Sequence, residues 1–180
     1  MAKELESPRV LLREWRDDDL APWITLNSDP INLKYFPRTY TPEESTASFQ
    51  RIRERLDSND FGLWAAEEKS SGNFMGFVGI ASQNLDGVSF MPCHEIGWRL
   101  DKEFWGRGYA TEAAKVALDF ALNELHIPVI YSYTAIANEP SINVMRKIGL
   151  HFRPDLEFDH PNIPEGSPVK RHLVYSTMPA

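Results

Sequence analysis

The clearest periodic pattern in the chain lies in residues 111–125, where apolar side chains recur at helical spacing. The apolar positions of this segment are Ala114, Ala117, Leu118, Ala121, Leu122 and Leu125. Because residues three or four apart share one face of an α-helix, the spacing predicts a helix with a wide apolar face.

Three further helices are predicted from start signals and shorter apolar patterns. Residues 41–44, Thr-Pro-Glu-Glu, combine an N-cap residue, a proline in the first turn and two acids, so a helix should run from there to about residue 57. The acids at 17–19 follow a short apolar run and predict another helix start. Residues 140–148 read as a short helix.

Short apolar and β-branched runs predict the strands. These runs are residues 9–14, 61–68, 74–82, 94–100, 129–135, 150–158 and 172–177. The resulting order is β-α-α-β-β-β-α-β-α-β-β. The three consecutive strands in the middle should be antiparallel, whereas the strand-helix-strand unit over 94–135 should be a right-handed parallel crossover. The sequence therefore predicts an α/β (α+β) protein with a mixed sheet.

Length and composition limit the function classes. With 180 residues the chain suits one domain covering 1–180. A net charge of −7 argues against nucleic acid as a partner, and no apolar stretch is long enough for a signal peptide or a membrane span. Cys93 is the only cysteine, so neither a disulfide nor a cysteine-based zinc site is expected. These features favour a cytoplasmic protein that binds no metal.

A candidate phosphate-binding turn precedes the long helix, in Phe-Trp-Gly-Arg-Gly-Tyr-Ala-Thr-Glu at 104–112. Gly106 and Gly108 let the backbone approach a ligand, and a helix start offers unpaired N–H groups with partial positive charge. Such a turn is equally compatible with a plain tight connection. A Walker loop and a dinucleotide fingerprint are both excluded, since the lysine and the third small residue that they require are missing.

Two spaced signatures resemble the GNAT superfamily of N-acetyltransferases. Trp105 to Ala110 is similar to the family pattern Gln/Arg-x-x-Gly-x-Gly/Ala, with tryptophan in the Gln/Arg position as in the RimJ/RimL-like branch. Residues 138–152 resemble that branch's Asn-x-x-Ser followed by Lys-x-Gly-Phe, with Leu150 where phenylalanine is usual. The resemblance implies a GNAT-like, mostly antiparallel mixed sheet with helices on both faces, and acetyl-CoA as co-substrate.

The same resemblance implies which residues bind the coenzyme. Backbone N–H groups should hold the pyrophosphate, and the edge of the strand ending at residue 100 should pair with the pantetheine arm, because that strand and the one beginning near residue 129 splay apart in this fold. The implied coenzyme-binding residues are Leu100, Trp105, Gly106, Arg107, Gly108, Tyr109, Ala110, Asn138 and Asn143.

Acetyl transfer from a thioester needs a neutral amine and a proton donor for the thiolate. Glu95 occupies the strand position where many family members carry a catalytic glutamate, and the alternative is a carboxylate that is ordered by a neighbouring basic residue. His94 is the alternative base. Ser141 matches the branch's serine near the sulfur, with helix capping as the competing explanation. A covalent role for Cys93 is disfavoured because the family transfers directly in a ternary complex.

The resemblance implies only the chemical class of the acceptor. A primary amine is expected, either a protein N-terminus, as the RimJ/RimL resemblance suggests, or a small molecule. The enzyme should act as a monomer or homodimer. A catalytically silent acyl-CoA-binding or regulatory module is the alternative function.

Overall fold

One β-sheet organises the part of the chain that the computed structural model describes, residues 3–59 and 61–179. Its strands are β1 (Leu5–Glu6), β2 (Val10–Arg13), β3 (Leu63–Glu68), β4 (Phe74–Gln83), β5 (Cys93–Leu100), β6 (Ile130–Ala135), β7 (His151–Phe152), β8 (Phe158–Asp159) and β9 (Arg171–Ser176). The helices are α1 (Leu20–Ser28), α2 (Pro42–Ser58), α3 (Tyr109–Asn123) and α4 (Glu139–Lys147). None of these helices is long and apolar enough to cross a bilayer.

The strands follow the order β1-β2-β3-β4-β5-β6-β9-β7, and β8 also pairs with β9. Neighbouring strands are antiparallel except for β5 and β6, which run parallel. Helix α3 connects those two strands, as a parallel pair requires. The predicted fold class, a mixed and mostly antiparallel sheet, is confirmed.

Two details of the predicted strands are wrong. The strand predicted over 150–158 is divided into β7 and β8 by a 3₁₀ turn at Pro154–Leu156, since a proline has no N–H to donate to a sheet. Strand β1 was not predicted at all. Its two residues, Leu5 and Glu6, pair with Leu12 and Leu11 of β2 and are too few to show an alternating pattern.

The helix starts show how local chemistry sets their bounds. Helix α2 begins as predicted: the Thr41 hydroxyl accepts from the Glu44 N–H at 3.2 Å, and the Glu44 carboxylate accepts from the Thr41 N–H at 2.9 Å. Helix α3 begins at Tyr109, two residues earlier than predicted. Gly108 precedes it with φ of 84°, a left-handed conformation that favours glycine.

Helices cover both faces of the sheet. On one face, the Trp64 ring of β3 meets Phe120 of α3 edge-on, with 5.9 Å between ring centroids. On the other face, Phe77 of β4 meets Trp23 of α1 at 5.8 Å. Trp64 lies opposite Val78, the neighbour of Phe77, so the two contacts are on opposite faces.

Two glycines face each other at the centre of the sheet, and only one of them is required by packing. Gly79 of β4 pairs with Gly97 of β5. A Cβ at Gly79 would lie 2.0 Å from the Gly62 carbonyl oxygen, so the backbone before β3 passes directly over this position. A Cβ at Gly97 would meet only ordinary contacts, the nearest being Glu95 Oε1 at 3.8 Å.

This difference predicts opposite outcomes for one added methyl group. Gly79→Ala should lower the free energy of unfolding by about 2 kcal/mol or more, because backbone must move to admit the methyl. Gly97→Ala should change it by less than about 0.5 kcal/mol. Urea unfolding followed by circular dichroism measures both, and equal destabilisation by the two substitutions would contradict the packing described.

Candidate active site

The site is built where strands β5 and β6 separate. They pair only at His94 with Ile130 and at Glu95 with Tyr131, although β5 continues to Leu100 and β6 to Ala135. The predicted splay is therefore present. A cavity of about 780 Å³ opens at the gap, lined by both strands, the start of α3 and the segment between α1 and α2.

The gap leaves one backbone position of β5 free to bind a ligand. Carbonyl oxygens of Ile96 and Leu100 point away from β4: the Ser132 hydroxyl donates to Ile96 at 2.9 Å and the Trp105 indole N–H donates to Leu100 at 2.7 Å. Trp98 lies two residues from each of them. Because every second residue of a strand directs its N–H and C=O to the same side, the backbone groups of Trp98 also face the gap. An extended ligand with amide groups can pair with Trp98, whereas the Leu100 carbonyl is already engaged.

The turn before α3 has the form of an anion cradle. Gly106 and Gly108 have φ of 70° and 84°, and a Cβ at Gly106 would have no atom within 4 Å. The first backbone hydrogen bond of the helix runs from Glu112 N to Gly108 O at 3.0 Å, so the N–H groups of the first three helical residues, 109–111, have no partner within the helix. This open, N–H-lined turn fits a pyrophosphate.

The coenzyme residues predicted from sequence come together at this cavity, with one exception. Those lining it are Leu100, Trp105, Gly106, Gly108, Tyr109, Ala110, Asn138 and Asn143. Arg107 does not line it. The Arg107 guanidinium donates to Glu68 at 3.3 Å and lies 4.9 Å from the Tyr109 ring. Tyr109 also directs its hydroxyl to Glu68, so the same carboxylate engages both side chains.

At the start of α4, the capping roles differ from those considered in the sequence. Asn138 is the N-cap: its Oδ1 accepts from the Ser141 N–H at 3.3 Å, and its Nδ2 donates to the Thr134 hydroxyl at 2.8 Å. Ser141 therefore does not cap the helix. Its hydroxyl lines the cavity and accepts from the Trp98 indole N–H at 3.3 Å.

Glu95 is half-buried at the point where the strands part, and it lines the cavity. Burial raises the pKa of its carboxyl from 4.5 to about 7, although hydrogen bonds from Gln83 and Tyr133 act in the opposite direction. Gln83 Nε2 donates to the carboxylate at 2.7 Å. The carboxylate is thus ordered by an amide and a phenol instead of the basic neighbour considered from sequence.

The two other candidate residues of β5 lie outside the cavity lining. His94 projects from the opposite face to Glu95 and packs near Phe61, with ring centroids 5.8 Å apart. Cys93 is buried, and burial raises the pKa of its thiol to about 12. A thiol that stays protonated is a poor nucleophile, which argues against a covalent step there.

Sequence reasoning singled out neither Tyr133 nor His172, which form an aromatic wall beside Glu95. The cavity is lined there by Tyr133 of β6, His172 of β9 and His160 of the loop between β8 and β9. The two imidazoles lie 5.1 Å apart. Burial lowers the pKa of His160 to about 4, so this imidazole is neutral at pH 7. Tyr133 is distant in sequence from the two histidines, and the alternation of tyrosines at 131 and 133 is its only signal in the sequence.

This geometry is that of an acetyltransferase: a parallel pair that splays, an anion cradle at the following helix and a carboxyl group at the fork. A family model described as "Acetyltransferase (GNAT) domain" matches residues 9–151. The chain belongs to the GNAT family and is an acetyltransferase, and members of this family use acetyl-CoA.

Individual proteins similar to this chain agree with that assignment. The uncharacterized protein YkkB of Bacillus subtilis is 31% identical over 150 residues, which cover 83% of this chain and 86% of YkkB. The putative ribosomal N-acetyltransferase YdaF of the same organism is 27% identical over 72% of this chain and 63% of its own length. An acetyltransferase structure from Agrobacterium tumefaciens superposes with a TM-score of 0.78 at 25% identity, covering 98% of this chain and 94% of the other.

A bulky side chain in the cradle should block the coenzyme. Gly106→Leu is expected to weaken acetyl-CoA binding at least about tenfold in calorimetry, because the side chain enters the space left open for phosphate. Gly87→Leu is the matched control, since Gly87 also has a left-handed φ, 75°, with no atom near its Cβ position and no part in the cavity lining. Equal losses of acetyl-CoA affinity in the two variants would show that the cradle does not bind the coenzyme.

The raised pKa of Glu95 also predicts how stability depends on pH. A carboxyl whose pKa is higher in the folded state destabilises the fold as pH rises from about 4.5 through 7. Glu95→Gln removes this penalty, so it should be more stable relative to wild type at pH 8 than at pH 5, by up to about 3 kcal/mol. Denaturant unfolding at both pH values measures the difference, and a pH-independent difference would show that the pKa is not raised.

Proposed function

We propose that this enzyme transfers an acetyl group from acetyl-CoA directly to a primary amine within a ternary complex, with Glu95 as the general base. The observation that carries the proposal is a half-buried carboxyl, with a pKa of about 7, at the fork of the splayed strands. A base works best when its pKa lies near the working pH, because it is then partly ionised yet still basic.

The chain's own residues supply the binding and the proton transfers. Trp98 pairs its backbone with the pantetheine amides, and the turn at residues 105–110 holds the pyrophosphate through N–H groups, which places the thioester near the fork. Bound acetyl-CoA supplies the activated acetyl group. The Glu95 carboxylate accepts a proton from the attacking amine, directly or through water. The Ser141 hydroxyl, which lines the same cavity, donates a proton as the carbon–sulfur bond breaks.

The finer assignment is to the RimJ/RimL-like branch. The signatures at 105–110 and 138–152 support it, and the similarity to YdaF, named as a putative ribosomal N-acetyltransferase, points the same way. The α-amine of a peptide suits a carboxylate base with a pKa near 7, since its own pKa is only about 7.7 to 8.0, against about 10.4 for a lysine side chain.

Replacing the base should lower turnover and remove one ionisation from the pH profile. Glu95→Gln is expected to reduce kcat about a hundredfold or more, and the rise of kcat/KM through pH 7 should disappear. The assay follows release of free thiol from acetyl-CoA with a panel of amines. The inflection due to Glu95 should stay in place when an α-amine is exchanged for an alkylamine, whereas the inflection of the acceptor should move.

Glu54→Gln is the matched control, because Glu54 is exposed on α2 and does not line the cavity. It should leave both rate and profile unchanged. A Glu95→Gln enzyme with a wild-type profile would show that another group is the base. Acetyl-CoA binding by wild type without acetyl transfer to any amine would refute the proposal and favour a silent binding module.

A further inference from the structure

Arg99 places a positive charge on the cavity without a negative partner. It lies on β5 and lines the cavity together with Phe36 and Tyr40 from the segment between α1 and α2. Its Nη1 donates to Asn27 Oδ1 at 2.7 Å, whereas its Nε is buried and has no acceptor in residues 3–59 or 61–179. In the same described part of the chain it makes no ion pair with any Asp or Glu, and its other side-chain hydrogen-bond partner is the Tyr40 phenol.

Aromatic rings form the rest of the surroundings of this guanidinium. It lies 4.2 Å from the ring centre of Phe36, and the rings of Trp23, Phe77 and Tyr40 lie at 5.5, 5.7 and 5.7 Å. Aromatic faces attract a cation, but they supply no full negative charge, and the Tyr40 hydroxyl adds only one neutral acceptor for five N–H groups. Burial accordingly lowers the pKa of Arg99, and the group remains charged at neutral pH.

Arg13, which is buried, shows how the fold treats a guanidinium that has a purely structural role. Arg13 of β2 binds both oxygens of Asp19, at 2.7 and 2.9 Å, and its Nε donates to Glu67 at 2.6 Å. Its charge is fully compensated within the chain. Arg99 has one amide oxygen and one phenol where Arg13 has two carboxylates, so Arg99 is left with unused capacity for an anion.

Strand alternation relates Arg99 to the proposed base. Glu95, Gly97 and Arg99 share one face of β5, and all three line the cavity. Gly97 puts no side chain between the carboxyl and the guanidinium, although packing would admit one. The Cα atoms of Glu95 and Arg99 are about 13 Å apart in an extended strand. An acceptor lying along this bare strip would meet a base at one end and a cation at the other.

We propose that Arg99 binds a carboxylate of the acceptor, so that the substrate is a primary amine that also carries a carboxylate several bonds from its nitrogen. The proposal rests on the proposed function for the position of the amine. A single half-buried guanidinium matches the single charge of a carboxylate, whereas a phosphate dianion would leave one negative charge unpaired in the cavity. The carboxylate belongs either to a small amino acid or to an acidic side chain near a peptide N-terminus.

The test compares acceptors that differ only in this charge. One arm uses ω-amino acids of increasing length against their carboxamides, and the other uses peptides with Glu or Gln at the second and third positions. Wild type should prefer the acids on the order of tenfold to hundredfold in kcat/KM, mainly through KM. In Arg99→Met, which keeps the apolar contacts and removes the charge, the ratio of acid to amide should fall to about one. The preferred arm identifies the source of the carboxylate.

Binding and stability measurements distinguish this proposal from a failure of the proposed function and from a purely structural role of Arg99. Calorimetry with the same acid and amide pairs reports the preference without any acetyl transfer, so it stays informative if the enzyme proves inactive. Arg55→Met, a change at an exposed arginine of α2, should keep the wild-type ratio. Arg99→Met should unfold at the same temperature as wild type or higher, since it removes an unpaired buried charge.

Three outcomes would overturn the proposal. The first is that wild type shows no preference for acids, in binding or in rate. The second is that Arg99→Met loses activity equally with acids and amides while its ratio stays unchanged, which is the pattern of a structural role. The third is that Arg99→Met unfolds well below wild type, and that Arg99→Lys restores stability without restoring discrimination.

Discussion

The separation of β5 from β6 after one short stretch of parallel pairing is the feature on which the site depends. Beyond Glu95 and Tyr131 the two strands no longer satisfy each other's backbone groups. Side chains replace part of the missing pairing, since the Ser132 hydroxyl and the Trp105 indole N–H donate to the carbonyl oxygens of Ile96 and Leu100. Trp98 remains unpaired on that edge, and a ligand with amide groups completes the sheet.

The cavity has two regions that differ in their charged and polar groups. Near the cradle, ligand charge meets backbone N–H groups, and the side chains of Arg107 and Tyr109 are committed to Glu68. Along the face shared by Glu95 and Arg99, two ionisable side chains are held in surroundings that disfavour their charged forms. Both groups cost stability in the free protein, a cost that is typical of sites prepared for a substrate.

Much of the fold was predictable because local sequence patterns determine its helices and strands. The apolar stripe of α3 and the capping residues of α2 act over a few positions, and both helices lie where these signals place them. The site was predictable at residues that belong to contiguous motifs, such as Gly106 and Gly108. Arg99 was not, because its significance depends on Trp23, Phe36 and Tyr40, which approach it only through the tertiary fold. The absence of a counter-charge in the folded protein produces no pattern in the sequence.

The most direct test of the account is amide hydrogen exchange with and without coenzyme A, resolved to single residues. The splayed strands and the cradle predict slower exchange at the Trp98 N–H and at the first amides of α3, 109–111, when the coenzyme is bound. The Ile130 N–H, which already donates to the Thr177 hydroxyl, should not change. Coenzyme binding that left Trp98 and the start of α3 unprotected would contradict the account.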